Sequence, residues 1–276
     1  MYRVAKALNH NAILALDSEG CQEYLLMGKG IGFGKKVSQR IEAEEGVTVY
    51  SLRAVSEKGT ARELLKELDP KFLEIADAVL KAAEAEFGEI DRAVLFPLAD
   101  HLAFAARRLK KGEKIINLLT PDIQALFPRE FQVASVIREL LWKMDAIYVP
   151  DDEIGYAALH VHSAVGGEKV SSAMQIAGAV RECITIIEKD LGRKINVKTL
   201  SYNRLMNHIK YMAARALTGD TSKLDINSYA RQEFPRAYEI AVMVCGHLGR
   251  QLKKVLPEIE IGYLAMHIER TYTDEE

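Results

Sequence analysis

Phe127-Pro128-Arg129 returns as Phe234-Pro235-Arg236, and Glu153-Ile154-Gly155-Tyr156 returns as Glu260-Ile261-Gly262-Tyr263, both at an offset of 107 residues. Over residues 127–161 against 234–268, 12 of 35 ungapped positions are identical, where composition alone gives roughly two. Self-similarity at a fixed offset marks a duplicated domain. The same offset carries His101 onto His208 and His160 onto His267, so each copy keeps two histidines 59 residues apart. Taking Arg62 as the start of the first copy places the second at Lys169, just after Gly166-Gly167. Phe72, Ile75, Ala76, Val79 and Leu80 fall at helical spacing, so both copies are expected to be helical.

Each histidine is expected on a helix. Arg108 follows His101 by seven residues, and Arg215 follows His208 by the same interval, which brings guanidinium and imidazole to one helix face. Pro150 and the acidic Asp151-Asp152-Glu153 signal a helix start. Glu153 then lies seven residues before His160, as Glu260 does before His267. A guanidinium or carboxylate aligned with an imidazole can receive a new negative charge or fix a tautomer. His10, His162 and His247 have no histidine at the offset position; His162 meets Glu269 and His247 meets Leu140. A structural histidine pair would also survive a duplication, so register by itself leaves both readings open. His160 and His162 stand at i and i+2 and face different ways on a helix, which argues against a metal pair. No HExxH or Cys/His zinc set is present, and neither a metal nor a cofactor is expected.

Residues 1–56 read differently. Short apolar runs at Ala12–Leu16, Tyr24–Met27 and Val47–Leu52 are separated by Asp17-Ser18-Glu19-Gly20 and by the glycine-rich Gly28–Gly34, a pattern that predicts a small all-β unit. So short a unit makes a poor core, and dimerisation is the expected remedy. The predicted architecture is therefore multidomain: a dimerising all-β domain (1–56), then two duplicated all-α bundles (62–168 and 169–276). The run Gly28-Lys29-Gly30-Ile31-Gly32-Phe33-Gly34-Lys35-Lys36 fits neither the Walker nor the dinucleotide template. It reads either as a flexible hairpin connection or as an unobstructed backbone surface, with Lys29, Lys35 and Lys36 for phosphates and Phe33 for stacking, suited to irregular RNA. Asn11, in the polar Asn9-His10-Asn11 turn, adds a hydrogen-bonding side chain.

The 276 residues are 49% hydrophobic and 28% charged, with a net charge of -2. That balance gives no global case for nucleic acid, but residues 1–40 carry six Lys/Arg against three Asp/Glu, a local excess of cations. No stretch approaches a continuous apolar membrane span, and the N-terminus lacks the apolar core of a signal peptide; a cytoplasmic protein without membrane insertion is expected. Cys21, Cys183 and Cys245 form no CxxC, so a disulfide framework is not expected.

Together these residues resemble the sugar-responsive bacterial transcriptional antiterminators of the BglG/SacY type. Val4–Asn11 and Met27–Lys36 resemble the co-antiterminator RNA-binding domain, and the two copies resemble phosphotransferase-system regulation domains, whose histidines match His101, His160, His208 and His267. Lys29, Gly34 and the stretch Val149–Tyr156 resemble the glucose-responsive branch. The resemblance implies an RNA surface at Lys6, Asn11, Gly28, Lys29, Gly30 and Phe33. It further implies a homodimer that clamps a leader RNA antiterminator hairpin and keeps the terminator from forming. Histidine phosphorylation by the sugar permease (enzyme II) and the phosphocarrier protein HPr would control it, and the protein would not be an enzyme. Two alternatives are a regulation-domain activator that binds DNA and a helical metal-dependent hydrolase. The first 55 residues, with strand alternation rather than two helical periods, weigh against the former.

Overall fold

The computed structural model describes residues 1–19, 22–53, 55–56, 59–196, 199–220 and 224–273; Cys21 and the Gly20 of the predicted turn lie outside them. Strands β1 (Tyr2–Ala7), β2 (Ala12–Asp17), β3 (Glu23–Met27), β4 (Arg40–Ile41) and β5 (Thr48–Ser51) form an antiparallel sheet ordered β4-β1-β2-β3-β5. A second ribbon pairs β6 (Val55–Ser56) with β7 (Gly59–Thr60). Among the described residues no helix begins before Ala61, which leaves no helix-turn-helix in this region and removes the basis of the DNA-binding alternative.

One sheet face buries Val4, Ile13, Ala15, Leu26 and Ile41, with Tyr2, Tyr24, Ile31, Val47 and Val49 packed around them. Leu25 and its cross-strand partner Tyr50 are buried as well, because the Tyr50 ring stands edge-on to Phe96 at 6.2 Å. The small sheet thus completes its core partly against helices of its own chain.

Twelve helices follow among the described residues: α1 (Ala61–Glu67), α2 (Pro70–Phe87), α3 (Leu95–Lys110), α4 (Thr120–Leu126), α5 (Pro128–Ala134), α6 (Val136–Asp145), α7 (Asp151–Gly166), α8 (Val170–Leu191), α9 (Leu200–Thr218), α10 (Asn227–Glu233), α11 (Pro235–Leu252) and α12 (Ile259–Thr273), with a 3-10 turn at Arg92–Val94. The chain forms two compact units, Met1–Asn117 with Arg129–Val170, and Leu118–Pro128 with Ser171–Glu276. In the first, α2 packs on α3, α6 and α7; in the second, α12 packs on α9, α10 and α11.

The duplication is visible in backbone detail. Phe127 and Phe234 share nearly the same conformation (φ -132, ψ 54 and φ -130, ψ 55), and the left-handed helix ends at Ala146 and Lys253 both have φ 52. The copies differ where α11 runs unbroken but its counterpart splits into α5 and α6. Ser135 stands at the break and its hydroxyl donates to the Phe131 carbonyl at 2.8 Å, a back-bond that bends helices; Val242 at the equivalent position of α11 has no hydroxyl to make it.

Helix α8 is long and apolar enough to span a bilayer by composition, with mean hydropathy 1.2. It carries Arg181 and Glu182 mid-helix, and Ala173, Ile176, Ala177, Val180, Cys183, Ile184 and Ile187 are buried within the second unit, the one-sided burial of an amphipathic core helix. Burial pushes the Cys183 and Cys245 thiols up to about 12, which makes them inert at neutral pH.

Candidate histidine sites and nucleic-acid interface

Packing of α3 on α7 brings His101 and His160 together, ring centroids 5.5 Å apart with planes inclined 35°. Glu153, in the first turn of α7, is 2% exposed at its side chain. Arg108 Nη2 donates to Glu153 Oε1 at 2.6 Å, and Glu153 Oε2 lies 3.7 Å from His101 Nε2. The Arg108 guanidinium also rests over the Phe104 ring at 4.5 Å. The second unit repeats the arrangement on α9 and α12. His208 and His267 are 4.6 Å apart at 30°, Arg215 grips Glu260 through Nε at 2.9 Å and Nη2 at 2.7 Å, and Glu260 Oε2 lies 3.9 Å from His208 Nε2.

In both copies, then, the carboxylate that shares a helix with the second histidine approaches the first histidine, on the neighbouring helix, and is neutralised by the arginine that shares that neighbour. A buried carboxylate without such a partner would be strongly unfavourable. Tyr156 and Tyr263 complete the sites, 5.9 Å from His101 and 6.2 Å from His208. Both belong to the repeated Glu-Ile-Gly-Tyr, so the signal for them lay within the repeat. His162 turns away from His160 and lies between Glu130 (3.0 Å) and Glu168 (3.1 Å). His160 is buried at 6% exposure, whereas His101, His208 and His267 are partly open.

Burial, reinforced by His267 and Arg215, lowers His208 to about 3; burial, reinforced by Arg270 and Arg204, lowers His267 to about 4. Both imidazoles are therefore neutral at pH 7, each with a lone pair on one ring nitrogen. The unfolded chain takes up these protons near pH 6.5 and the folded one does not. Stability is thus complete above pH 6.5 and declines as the pH falls toward 4, by up to about 1.4 kcal/mol per pH unit for each histidine. Hydrogen exchange of α9 and α12 measured from pH 7 to pH 4.5 should show that decline, and His208→Gln should reduce its slope; an equally steep slope in the variant contradicts the assignment.

The RNA candidates gather at one end of the sheet. In the turn between β1 and β2, Asn9 Oδ1 accepts from Asn11 N at 2.8 Å, while Asn11 Oδ1 accepts from Gly30 N at 2.9 Å. The carbonyls of Asn11 and His10 accept from Gly28 N at 3.0 Å and Gly32 N at 2.8 Å. The glycine-rich segment is therefore a hydrogen-bonded platform. It is also not a hairpin connection, because the strands it joins, β3 and β4, are not neighbours in the sheet.

Gly30 and Gly34 take positive φ (72 and 66). A Cβ on Gly32 would sit 2.0 Å from the Asn9 carbonyl oxygen, so Gly32, not among the sequence candidates, is the position most restricted to glycine. Phe33 is 70% exposed and stands edge-on to His10 at 5.4 Å. Lys6, Lys29 and Lys36 are exposed and Lys35 half-buried.

The CAT RNA binding domain model matches residues 2–58, and the PRD domain model matches residues 73–164 and 181–271. Among curated proteins, the chain is 28% identical over 271 residues to the GlcA/glcB genes antiterminator of Staphylococcus carnosus (97% of this chain, 94% of the relative). It is 27% identical over 277 residues to transcription antiterminator LicT of Bacillus subtilis (97% and 98%), and 26% identical over 279 residues to the beta-glucoside operon antiterminator of Dickeya chrysanthemi (99% and 97%). The crystal structure of GlcT CAT-PRDI superposes with TM-score 0.51 and 31% identity, covering 60% of this chain and 98% of that one. Fold and matches define the class, an RNA-binding regulator with a duplicated helical control region. The chain belongs to the family that joins a CAT RNA-binding domain to two PRD domains, the domain set of transcription antiterminators.

Proposed function

We propose that this protein is a sugar-responsive transcriptional antiterminator, working in the cytoplasm as a homodimer and not as an enzyme. An RNA-binding module (1–56) clamps a leader mRNA hairpin and blocks terminator formation, and two regulation modules (62–168 and 169–276) control it through phosphorylation of His101, His160, His208 and His267 by HPr and the enzyme II permease. The observation that carries this reading is the hydrogen-bonded glycine platform, which leaves Phe33 70% exposed on a module where Lys6, Lys29 and Lys36 are exposed as well. That combination offers a stacking surface and phosphate contacts around a backbone that is open at Gly30 and Gly34.

The histidine sites supply the control. The unprotonated nitrogen of a neutral imidazole attacks the phosphorus of the donor's phosphohistidine; one N–P bond forms and the donor's breaks, the acceptor ring gives up the proton on its other nitrogen, and the donor ring takes up a proton and leaves as neutral imidazole. The product brings close to two negative charges to within a few ångströms of Glu153 or Glu260. Arg108 and Arg215 then face a choice of partner, carboxylate or phosphoryl group, and the packing of the histidine helices depends on which they hold.

Titration of the full chain with a bulged RNA hairpin, against duplex DNA of matching sequence and at several salt concentrations, tests the reading. Phe33→Ala should weaken RNA binding by about 10- to 100-fold, as expected for a lost stacking contact, and Lys6→Ala should flatten the salt dependence. Preference for the DNA, or RNA binding indifferent to Phe33→Ala, overturns it.

A further inference from the structure

Glu74, on the first turns of α2, reaches the RNA face. Its Oε1 accepts from Asn9 Nδ2 at 2.6 Å and its Oε2 from Asn11 Nδ2 at 3.0 Å. Asn11 is the side chain whose other end fixes Gly30, so both amide donors at the edge of the glycine platform are already taken by a carboxylate of the first helical region. One helical turn further on, Asp77 Oδ1 accepts from Tyr50 of β5 at 2.5 Å. Arg92 Nη1 donates to the Tyr50 hydroxyl oxygen at 3.0 Å and holds Glu84 through Nε at 2.7 Å, and Lys81 Nζ lies 2.8 Å from Asp77. The contacts of α2 with the sheet at these points are polar and charge-assisted, whereas its apolar residues Phe72, Leu73, Ile75, Ala76, Val79 and Leu80 are buried. The two Glu74 bonds to Asn9 and Asn11 are polar and can break by a movement of the Glu74 side chain alone, with the buried Tyr50–Phe96 contact left in place. On its other contacts α2 packs against α3 and α7, the helices that carry His101 and His160.

We propose that Glu74 is an intrachain competitor of RNA: its carboxylate stands in for an RNA acceptor oxygen at Asn9 and Asn11 and keeps the RNA face partly closed until it lets go of the two amides. This rests on the assignment of Asn11 and the glycine platform to RNA binding. A carboxylate suits the role because two oxygens accept from two amides at once, as a phosphate would, and because its charge repels an approaching phosphate.

The test uses the full chain and the same bulged RNA hairpin, with affinity read by fluorescence polarisation. Glu74→Ala should tighten binding about tenfold, the scale of a hydrogen bond to a charged group. Glu74→Gln, which keeps one acceptor and loses the charge, should tighten it about threefold by the same reasoning. Glu45→Ala removes an exposed carboxylate from the sheet module itself and controls for charge alone, with an expected change under about twofold. The side-chain amide resonances of Asn9 and Asn11 should shift in both Glu74 variants and not in Glu45→Ala. If Glu74→Ala loses helicity, Glu74→Gln decides. Unchanged or weaker binding in the Glu74 variants, while Phe33→Ala still weakens it about 10- to 100-fold, overturns the competitor role alone. Binding indifferent to Phe33 and Glu74 alike overturns the RNA face and the competitor together.

Discussion

Gly32→Ala should abolish RNA binding and lower stability by about 3 kcal/mol, the range of a severe steric insertion, although it adds a single methyl group. The added Cβ would lie 2.0 Å from the Asn9 carbonyl oxygen, a backbone atom, and 3.3 Å from the Ile13 side chain. Neither the loop nor the β1–β2 turn can yield without losing the bonds from Gly32 N to His10 O and from Gly28 N to Asn11 O. Gly30→Ala provides the contrast. Nothing lies within 4 Å of its Cβ, and only the positive φ of 72 resists the substitution, so a cost of about 1 kcal/mol is expected with the platform preserved. Thermal unfolding and RNA titration of the two variants should separate them clearly; equal losses would mean that the backbone approach at Gly32 is not what shapes the platform.

The second large effect is expected at Glu260. Glu260→Ala leaves the Arg215 guanidinium without its forked partner, next to an imidazole that burial keeps neutral. Breaking one side of such a pair costs about 3 kcal/mol or more. Glu260→Leu combined with Arg215→Met removes both charges and should recover most of the loss, because the cost lies in the stranded charge and not in the absent attraction. Urea unfolding of the two variants checks this, and a double variant as unstable as Glu260→Ala refutes it. The first copy offers a built-in comparison, since Arg108 holds Glu153 through Nη2 while its Nε is buried without a hydrogen bond.

The helices that carry the four histidines were legible because amphipathic spacing and a helix-start signal such as Pro150-Asp151-Asp152-Glu153 are properties of a single segment. The strands at Ala12–Asp17, Glu23–Met27 and Thr48–Ser51 were legible for the same reason. Tyr156 and Tyr263 were carried by the repeat itself, yet only their distance from the histidine rings gives them a role. The break at Ser135, in a helix that its duplicate keeps whole, was not legible, because a hydroxyl back-bond of the same kind at Thr185 leaves α8 unbroken.

By itself the sequence determined the duplication, the register of its histidine pairs, and the change from strand to helix near Thr60, since offset and periodicity are counted along one chain. Tertiary structure alone decided that Glu153 and Glu260 reach across to His101 and His208, that Gly32 lies against the Asn9 carbonyl, and that Glu74 closes on Asn9 and Asn11. Helical periodicity says which residues share a face. Which residue of another element that face meets depends on the distance and angle at which the two elements pack. For Glu74 no second signal existed, because position 181 in the other copy is an arginine and the contact it makes was never duplicated.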